Sequence, residues 1–245
     1  MSWETGIGRM ARPIRRVEEH PLEPMPRGVW PATVPAVEQI LDHGLDLSDV
    51  TVLVGDNGAG KSTIVEAVAL AFGLSPEGGS TAARHSTRES ESSLSESLQL
   101  VRGPGASKFG YFLRAETMHG FFTYLERIGP GARFHEMSHG ESFIELVLAK
   151  FRGRGLWVLD EPESALSFSG CLALIGVLRA LIDEGGSQVL LSTHSPLLAA
   201  LPGATIYEVG EWGLRESVWD DLDLVRSWRS FLDAPDRFLR LIERS

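Results

Sequence analysis

The sequence predicts an α/β fold whose core is a mainly parallel sheet flanked by helices. Short apolar runs rich in β-branched residues recur along the chain, and each is bounded by turn residues, as buried strands are. Helical patterns alternate with these runs, which is typical of parallel sheets. With 245 residues and 43% hydrophobic content, the chain can build one sizeable core.

The predicted elements alternate along most of the chain. A glycine-rich turn follows the apolar, β-branched run at residues 50–54. Gly73 and the pair Gly185 and Gly186 lie where predicted helices end. The predicted strands cover residues 14–18, 50–54, 109–114, 156–159, 188–192 and 205–209. The predicted helices cover residues 36–41, 62–72, 138–151 and 172–182, and residues 222–242 are predicted to form one or two helices.

Composition also suggests how the chain is organised. Residues 1–11 are expected to form a disordered leader, and residues 12–245 one domain. Within that domain, residues 75–107 are predicted to be a mobile insertion with one short helix. The reason is that Ser75–Ser97 is rich in Ser, Glu, Gly and Thr and poor in apolar residues.

Charge and cysteine content restrict the function classes. The formal net charge of −10 repels polyanions, although a local basic patch can still bind nucleic acid. No apolar stretch approaches the roughly 20 residues that span a bilayer, and the N-terminus lacks the apolar core of a secretory signal, so the cytoplasm is the expected compartment. The single cysteine, Cys171, lies in an apolar run and is expected to be an inert buried thiol. The local basic clusters, which are either nucleic-acid contacts or solvated surface, are Arg12, Arg15, Arg16, Arg84 and Arg88.

One motif matches the phosphate-binding P-loop in full. Glycines let the loop curl so that backbone N–H groups point at phosphate oxygens, and the following helix adds its positive N-terminal end. The lysine supplies a cation to the β- and γ-phosphates, and the serine supplies a hydroxyl to Mg²⁺. The predicted nucleotide-binding residues are Gly55, Asp56, Asn57, Gly58, Ala59, Gly60, Lys61, Ser62 and Thr63.

A pair of carboxylates ends the predicted strand at 156–159. In a parallel sheet, such a strand delivers its last residues to the carboxyl edge, where ligands bind. Asp160 is predicted to hold Mg²⁺ together with Ser62, and Glu161 to act as the base for the water that attacks the γ-phosphate. ATP and Mg²⁺ are therefore the expected substrate and cofactor.

With these motifs in place, the chain resembles the ABC-type P-loop ATPases of the soluble SMC/RecF-like class, and within it the small stand-alone bacterial ATPases. The resemblance covers roughly residues 50–210. It implies a small antiparallel β lobe and a small helical lobe in addition to the main sheet. The helical lobe is expected at about 116–151 and carries a signature motif that resembles the family's Ser-Gly-Gly-Gln.

The resemblance assigns further residues. Ser138, Gly140 and Glu141 lie in the signature motif, which in the family contacts the γ-phosphate held by the other protomer; His139 stands where the family usually has glycine. His194, after strand 188–192, matches the switch histidine that contacts the γ-phosphate. The run Ser164–Ser167 matches the D-loop, although a serine replaces its usual aspartate.

Two further assignments from the resemblance depart from the family pattern. The family usually has a glutamine after strand 109–114 that senses Mg²⁺; here the nearest polar residue is Glu116, which can reach a metal but cannot donate a hydrogen bond when ionised. Trp30 is the candidate aromatic residue for stacking on adenine, and it can equally belong to the core.

The lengths and motifs leave two function classes open. The interval between Lys61 and Ser138 is too short for a long SMC-type coiled coil, and one cysteine cannot make a Cys-x-x-Cys hook. The resemblance implies a stand-alone switch in which ATP joins two protomers as a homodimer and hydrolysis releases them. Its target would be DNA, RNA or a protein in repair or defence. The alternative is the nucleotide-binding subunit of an ABC transporter, which docks on a separate membrane protein.

Overall fold

The structure is a computed structural model that describes residues 12–75, 79–80, 93–114, 144, 147 and 149–242. Ten strands are defined within these residues. They are β1 (Arg16–Glu19), β2 (Leu45–Asp46), β3 (Val50–Gly55), β4 (Gly79–Ser80), β5 (Leu98–Val101), β6 (Gly110–Arg114), β7 (Leu156–Asp160), β8 (Gln188–Thr193), β9 (Thr205–Gly210) and β10 (Gly213–Ser217).

A seven-stranded sheet forms the centre of the fold, in the order β10-β9-β3-β8-β7-β6-β4. The five strands from β9 to β6 run parallel to their neighbours, whereas β10 and β4 pair antiparallel at the two edges. The predicted mainly parallel sheet is therefore confirmed. Because β3, β8 and β7 are adjacent and parallel, their carboxyl ends meet at one edge.

Helices cover both faces of this sheet. Val52 and Leu53 are both buried but belong to different apolar clusters, because successive strand residues point to opposite faces. The cluster on one face includes Ile64 and Val68, and the cluster on the other includes Leu174. The α-helices whose bounds lie within the described residues are α1 (Pro35–His43), α2 (Lys61–Phe72), α3 (Phe168–Asp183), α4 (Pro196–Ala199), α5 (Asp223–Asp233) and α6 (Pro235–Ile242).

The small antiparallel lobe is a three-stranded sheet in the order β2-β1-β5. Its presence confirms the lobe that the resemblance implied, and it corrects one local expectation. Residues 75–107 were predicted to be a mobile insertion with one short helix. Residues 93–97 form a 3₁₀ helix, but β5, which was not expected, pairs along its length with β1. In this register Leu100 lies opposite the buried Val17, so this part of the segment belongs to the lobe.

Other boundaries differ only slightly from the expected ones, while four strands, β2, β4, β5 and β10, were not expected. The segment 222–242, predicted to form one or two helices, forms α5 and α6, which Ala234 separates. Strand β10 was not predicted, and it forms a hairpin with β9. Cys171 is buried, as expected. None of the helices within the described residues has the length and apolar character required to cross a bilayer.

Candidate active site

The P-loop lies between the end of β3 and the start of α2. Gly58 and Gly60 have φ angles of +81° and +99°, in the left-handed region that side chains rarely adopt. A Cβ atom on Gly60 would also lie 2.6 Å from Cγ1 of Val34, and one on Gly55 would collide with the backbone oxygen of Val209. The backbone therefore requires glycine at these positions, and the loop has the cradle shape that phosphate binding needs.

Lys61 is the cation at this loop, and it is almost completely buried. Only 3% of the residue is exposed. Its Nζ donates a hydrogen bond to the carbonyl oxygen of Asp56 at 2.9 Å and lies 3.4 Å from Oε1 of Glu161. The ammonium group thus connects the P-loop to the acid at the end of β7.

Asp160 is the buried carboxylate of the site. Ser192 donates a hydrogen bond to Oδ1 at 2.5 Å, and Ser62 forms a second side-chain hydrogen bond. Burial raises the pKa of Asp160 above its ordinary value, while the hydroxyls of Ser192 and Ser62 and the charge of Arg114 oppose this rise. A buried carboxylate beside the serine of the P-loop has the oxygen donors that Mg²⁺ prefers, so the described residues fit this metal.

Glu161 has an unusual backbone. Its φ angle is +46°, the one positive φ among the described non-glycine residues. Such a conformation costs about 1–3 kcal/mol for a non-glycine residue and occurs preferentially at functional sites. It places the carboxylate between Lys61 and His194, because Oε2 lies 3.7 Å from Nδ1 of His194 while Oε1 faces Lys61.

His194 lies directly after β8, and its neighbour is a carboxylate that the sequence analysis did not single out. Oε1 of Glu163 accepts hydrogen bonds from Oγ1 of Thr193 and from the backbone N–H of His194, both at 2.6 Å. The same oxygen is 3.3 Å from Nδ1 of His194. The signal in the sequence was a third acid closely following Asp160 and Glu161.

A second unpredicted residue is Arg114, the last residue of β6. Its side chain pairs with Glu66 of α2 at 2.9 Å and with Asp160 at 3.4 Å. The parallel register explains this, because Arg114 lies opposite Asp160 on the neighbouring strand. A cation is thus adjacent to the predicted metal ligand.

Other predicted residues remain predictions. Ser138, Gly140, Glu141 and Glu116 lie outside the described residues, as do Arg84 and Arg88. Trp30 is 62% exposed, so it is not a core residue. The D-loop run ends at Ser167, whose side chain caps α3 by accepting a hydrogen bond from the backbone N–H of Gly170.

Comparison with known proteins identifies the family. The model of a family described as "AAA domain" matches residues 42–115. The zinc import ATP-binding protein ZnuC of Alcanivorax borkumensis is 31% identical over 66% of this chain and 68% of its own length. The chain belongs to the ABC-type P-loop ATPases. The predicted recognition of this type, the fold class and the assignment to an ATP-hydrolysing family are thereby confirmed.

Other relatives are longer than the matched region. The arabinose import ATP-binding protein AraG of Ralstonia nicotianae is 27% identical over 69% of this chain but only 38% of its own length. The chain therefore spans less than half the length of that relative. Among solved structures, the SMC head domain from Thermotoga maritima is 15% identical to this chain and has a TM-score of 0.42. The match covers 71% of this chain and 93% of that chain.

Proposed function

We propose that this protein binds and hydrolyses Mg-ATP at the edge formed by β3, β7 and β8, and that ATP joins two copies of the chain in a switch cycle. The observation that supports this most strongly is the convergence of three side chains. Lys61, Glu161 and His194 form a continuous series in which Glu161 lies between the other two, with separations of 3.4 and 3.7 Å. They come from three elements of the fold.

Each of these groups has a role in the proposed reaction. Without nucleotide, Lys61 pairs with the carbonyl of Asp56 and with Glu161. The oxygens of the β- and γ-phosphates would compete for the same ammonium group, because charge-assisted bonds to phosphate are strong. Glu161 would then be available to accept a proton from the attacking water. His194 would help to order the attacking water beside the γ-phosphate.

Asp160 and Ser62 are the proposed holders of Mg²⁺, and the fit of this site rests on their mutual hydrogen bond and on the burial of Asp160. When bound, the metal neutralises charge that develops on the phosphate oxygens. Arg114 is adjacent to Asp160 at 3.4 Å and holds Glu66 of α2, so it ties the P-loop helix to the proposed metal ligand.

Assembly is the finer part of the proposal. Ser138, Gly140 and Glu141 of one protomer would face the γ-phosphate bound by the other, so that each of two ATP molecules forms part of the interface. Hydrolysis would then remove interface contacts and separate the protomers, because a ligand that binds only the dimer stabilises it.

The preferred biological role is a stand-alone switch of the SMC/RecF-like class that acts in DNA repair or defence. The N-terminal arginines give a direct nucleic-acid contact little support. Arg12 pairs with Asp49 at 2.5 Å, and Arg16 pairs with Asp46 at 2.9 Å, so nearby carboxylates balance both charges. A protein target is therefore as compatible with the described surface as DNA or RNA.

A transporter subunit is the second candidate, and a specific observation favours it: the matched relatives include proteins named for zinc and arabinose import. Affinity purification with and without ATP, followed by mass spectrometry, separates the two roles. Recovery of a membrane-spanning partner supports the transporter subunit. Recovery of a nucleic-acid-processing protein or of DNA supports the switch.

The hydrolysis proposal is tested by Glu161→Gln. An amide keeps the shape of the side chain but cannot act as the base, so turnover should fall by about 10²- to 10⁴-fold while ATP binding persists. Steady-state phosphate release and equilibrium binding of a fluorescent ATP analogue measure the two properties. Glu211→Gln is the matched control, because Glu211 is an exposed acid in the turn between β9 and β10. Equal turnover in Glu161→Gln and Glu211→Gln would exclude Glu161 as the base.

A further inference from the structure

Glu163 lies in the site with its side chain largely buried, and it has no role in the proposed reaction. Only 9% of its side chain is exposed. Its Oε2 is buried and finds no hydrogen-bond partner within the part of the chain that the structure describes. Burying a carboxylate with one oxygen unsatisfied costs free energy, so stability alone does not explain the acid at this position.

The other oxygen of Glu163 faces the segment that carries His194. Oε1 accepts the hydroxyl of Thr193 and the backbone N–H of His194, each at 2.6 Å. These two bonds fix the backbone at the end of β8, from which the imidazole projects. The same Oε1 lies 3.3 Å from Nδ1, so one carboxylate oxygen bonds the backbone of His194 and lies beside its ring.

Acid–imidazole pairing has a defined chemical consequence. The hydrogen bond made by one ring nitrogen sets which nitrogen carries the proton. A carboxylate oxygen at Nδ1 favours a proton on that atom. Nε2 is then unprotonated, so it can accept a hydrogen bond from a water molecule but cannot donate one to a phosphate oxygen. Glu161 also approaches Nδ1, but at the longer distance of 3.7 Å.

We propose that Glu163 is a positioning residue for His194, which sets the orientation and the Nδ1-protonated form of the imidazole so that the unprotonated Nε2 can accept a hydrogen bond from the attacking water beside the γ-phosphate. This inference rests on the proposed function for the role of His194. It assigns to Glu163 an effect on turnover that is transmitted through the histidine, and no contact with ATP itself.

A double-mutant cycle tests this transmission. Glu163→Ala should lower kcat by about 10- to 100-fold, as loss of a carboxylate that orients a functional histidine does, while ATP affinity is unchanged. In a His194→Ala background, the same change should have no further effect on kcat, because both substitutions remove one unit. An equal loss in both backgrounds would overturn the proposal, and so would an unchanged kcat in Glu163→Ala.

Conservative variants cover the case in which Glu163→Ala fails to fold. Glu163→Gln keeps an acceptor oxygen at the same distance and should keep most of the activity. Glu163→Asp keeps the charge but withdraws the oxygen from the imidazole, so its kcat should be lower than that of Glu163→Gln. The reverse order would show that buried charge, and not the position of the acceptor, determines activity.

A spectroscopic readout separates this inference from the proposed function. Long-range ¹H–¹⁵N spectra of histidine-labelled protein in mildly alkaline buffer report which ring nitrogen is protonated, and His194→Asn identifies the signal. The wild type should show a protonated Nδ1, and Glu163→Ala should shift to the Nε2-protonated form. Identical spectra would overturn the inference even in an active ATPase. The expected shift would sustain the positioning role even in a protein that does not hydrolyse ATP.

Discussion

Two glutamates with little-exposed side chains, Glu208 in β9 and Glu163 in the short 3₁₀ helix after β7, differ in how their carboxylate oxygens are satisfied. Glu208 of β9 is 3% exposed, and both of its oxygens have partners. Arg215, directly opposite on β10, binds Oε2, and the backbone N–H of Asp223 donates to Oε1 at 2.7 Å. Glu163 has both donors on one oxygen and none within the described residues on the other.

The difference indicates what each acid does. A fully partnered carboxylate is expected where an acid is part of the framework, and Glu208 joins the β9–β10 hairpin to the start of α5. A carboxylate with an unpartnered oxygen, such as that of Glu163 beside the strained backbone of Glu161, is expected where function requires an arrangement that costs folding free energy. Changes near Glu161 should therefore affect chemistry more than stability, and changes at Glu208 the reverse.

Among the proposed substitutions, the largest effect is expected at Lys61, the buried cation of the active site, and it is an effect on ATP affinity. Lys61→Ala should weaken ATP binding by about 100-fold or more, because a charge-assisted bond contributes about 1.5–3 kcal/mol and the lysine is expected to contact two phosphates. Binding of a fluorescent ATP analogue measures this. Lys108→Ala, at an exposed lysine, is the control. Similar affinities for the two variants would refute the P-loop assignment.

A second test concerns Glu208, which is expected to stabilise the fold and not to take part in ATP hydrolysis. Glu208→Ala should reduce the free energy of unfolding by about 2 kcal/mol, because it removes two hydrogen bonds, one of them to an ionised arginine. This corresponds to a fall in Tm of about 4–8 °C for a chain of this size. Thermal unfolding and ATPase assays on the folded protein should show lowered stability with unchanged kcat. A fall in kcat without a fall in Tm would show that Glu208 contributes to turnover and not to stability, which would contradict the assignment.

The smallest expected effect is a gain in the stability of the protein when Asp160 is replaced by asparagine. Burial raises the pKa of this carboxyl in the folded state, so the folded protein holds the proton more tightly than the unfolded chain does. Stability is therefore lost as the pH rises from the ordinary aspartate pKa through the raised value. Without Mg²⁺, Asp160→Asn should raise Tm by about 2–4 °C, equivalent to about 1 kcal/mol. A lower Tm at pH 7 would show that the ionised carboxylate stabilises the fold.

Sequence patterns were most informative where the determining residues are contiguous. The strands β3, β7 and β8 were predicted to within one residue, because each contains a short run of mostly apolar residues in the centre of the sheet. Strand β10 was missed because its last three residues, Arg215 to Ser217, are polar and not buried, so it lacks that signal. Strand β5 was missed because its pairing with β1 is set by distant parts of the chain.

The site divides in the same way. The P-loop is a local motif, and its glycine conformations follow from the sequence. Glu163 and Thr193 are 30 residues apart, and no local pattern links them. Arg114 reaches Asp160 only because β6 and β7 are neighbours in a particular register. Contacts of this kind depend on how the strands pair, which a single sequence does not specify.

The most direct test of the central claim is the mass in solution of the Glu161→Gln protein, with and without Mg-ATP. Size-exclusion chromatography with light scattering should show a monomer without nucleotide and a dimer with Mg-ATP, because ATP is retained at the interface. Adding Ser138→Arg should restore the monomer by placing bulk and charge at the proposed contact. A Glu161→Gln protein that binds Mg-ATP and remains monomeric would contradict the switch mechanism.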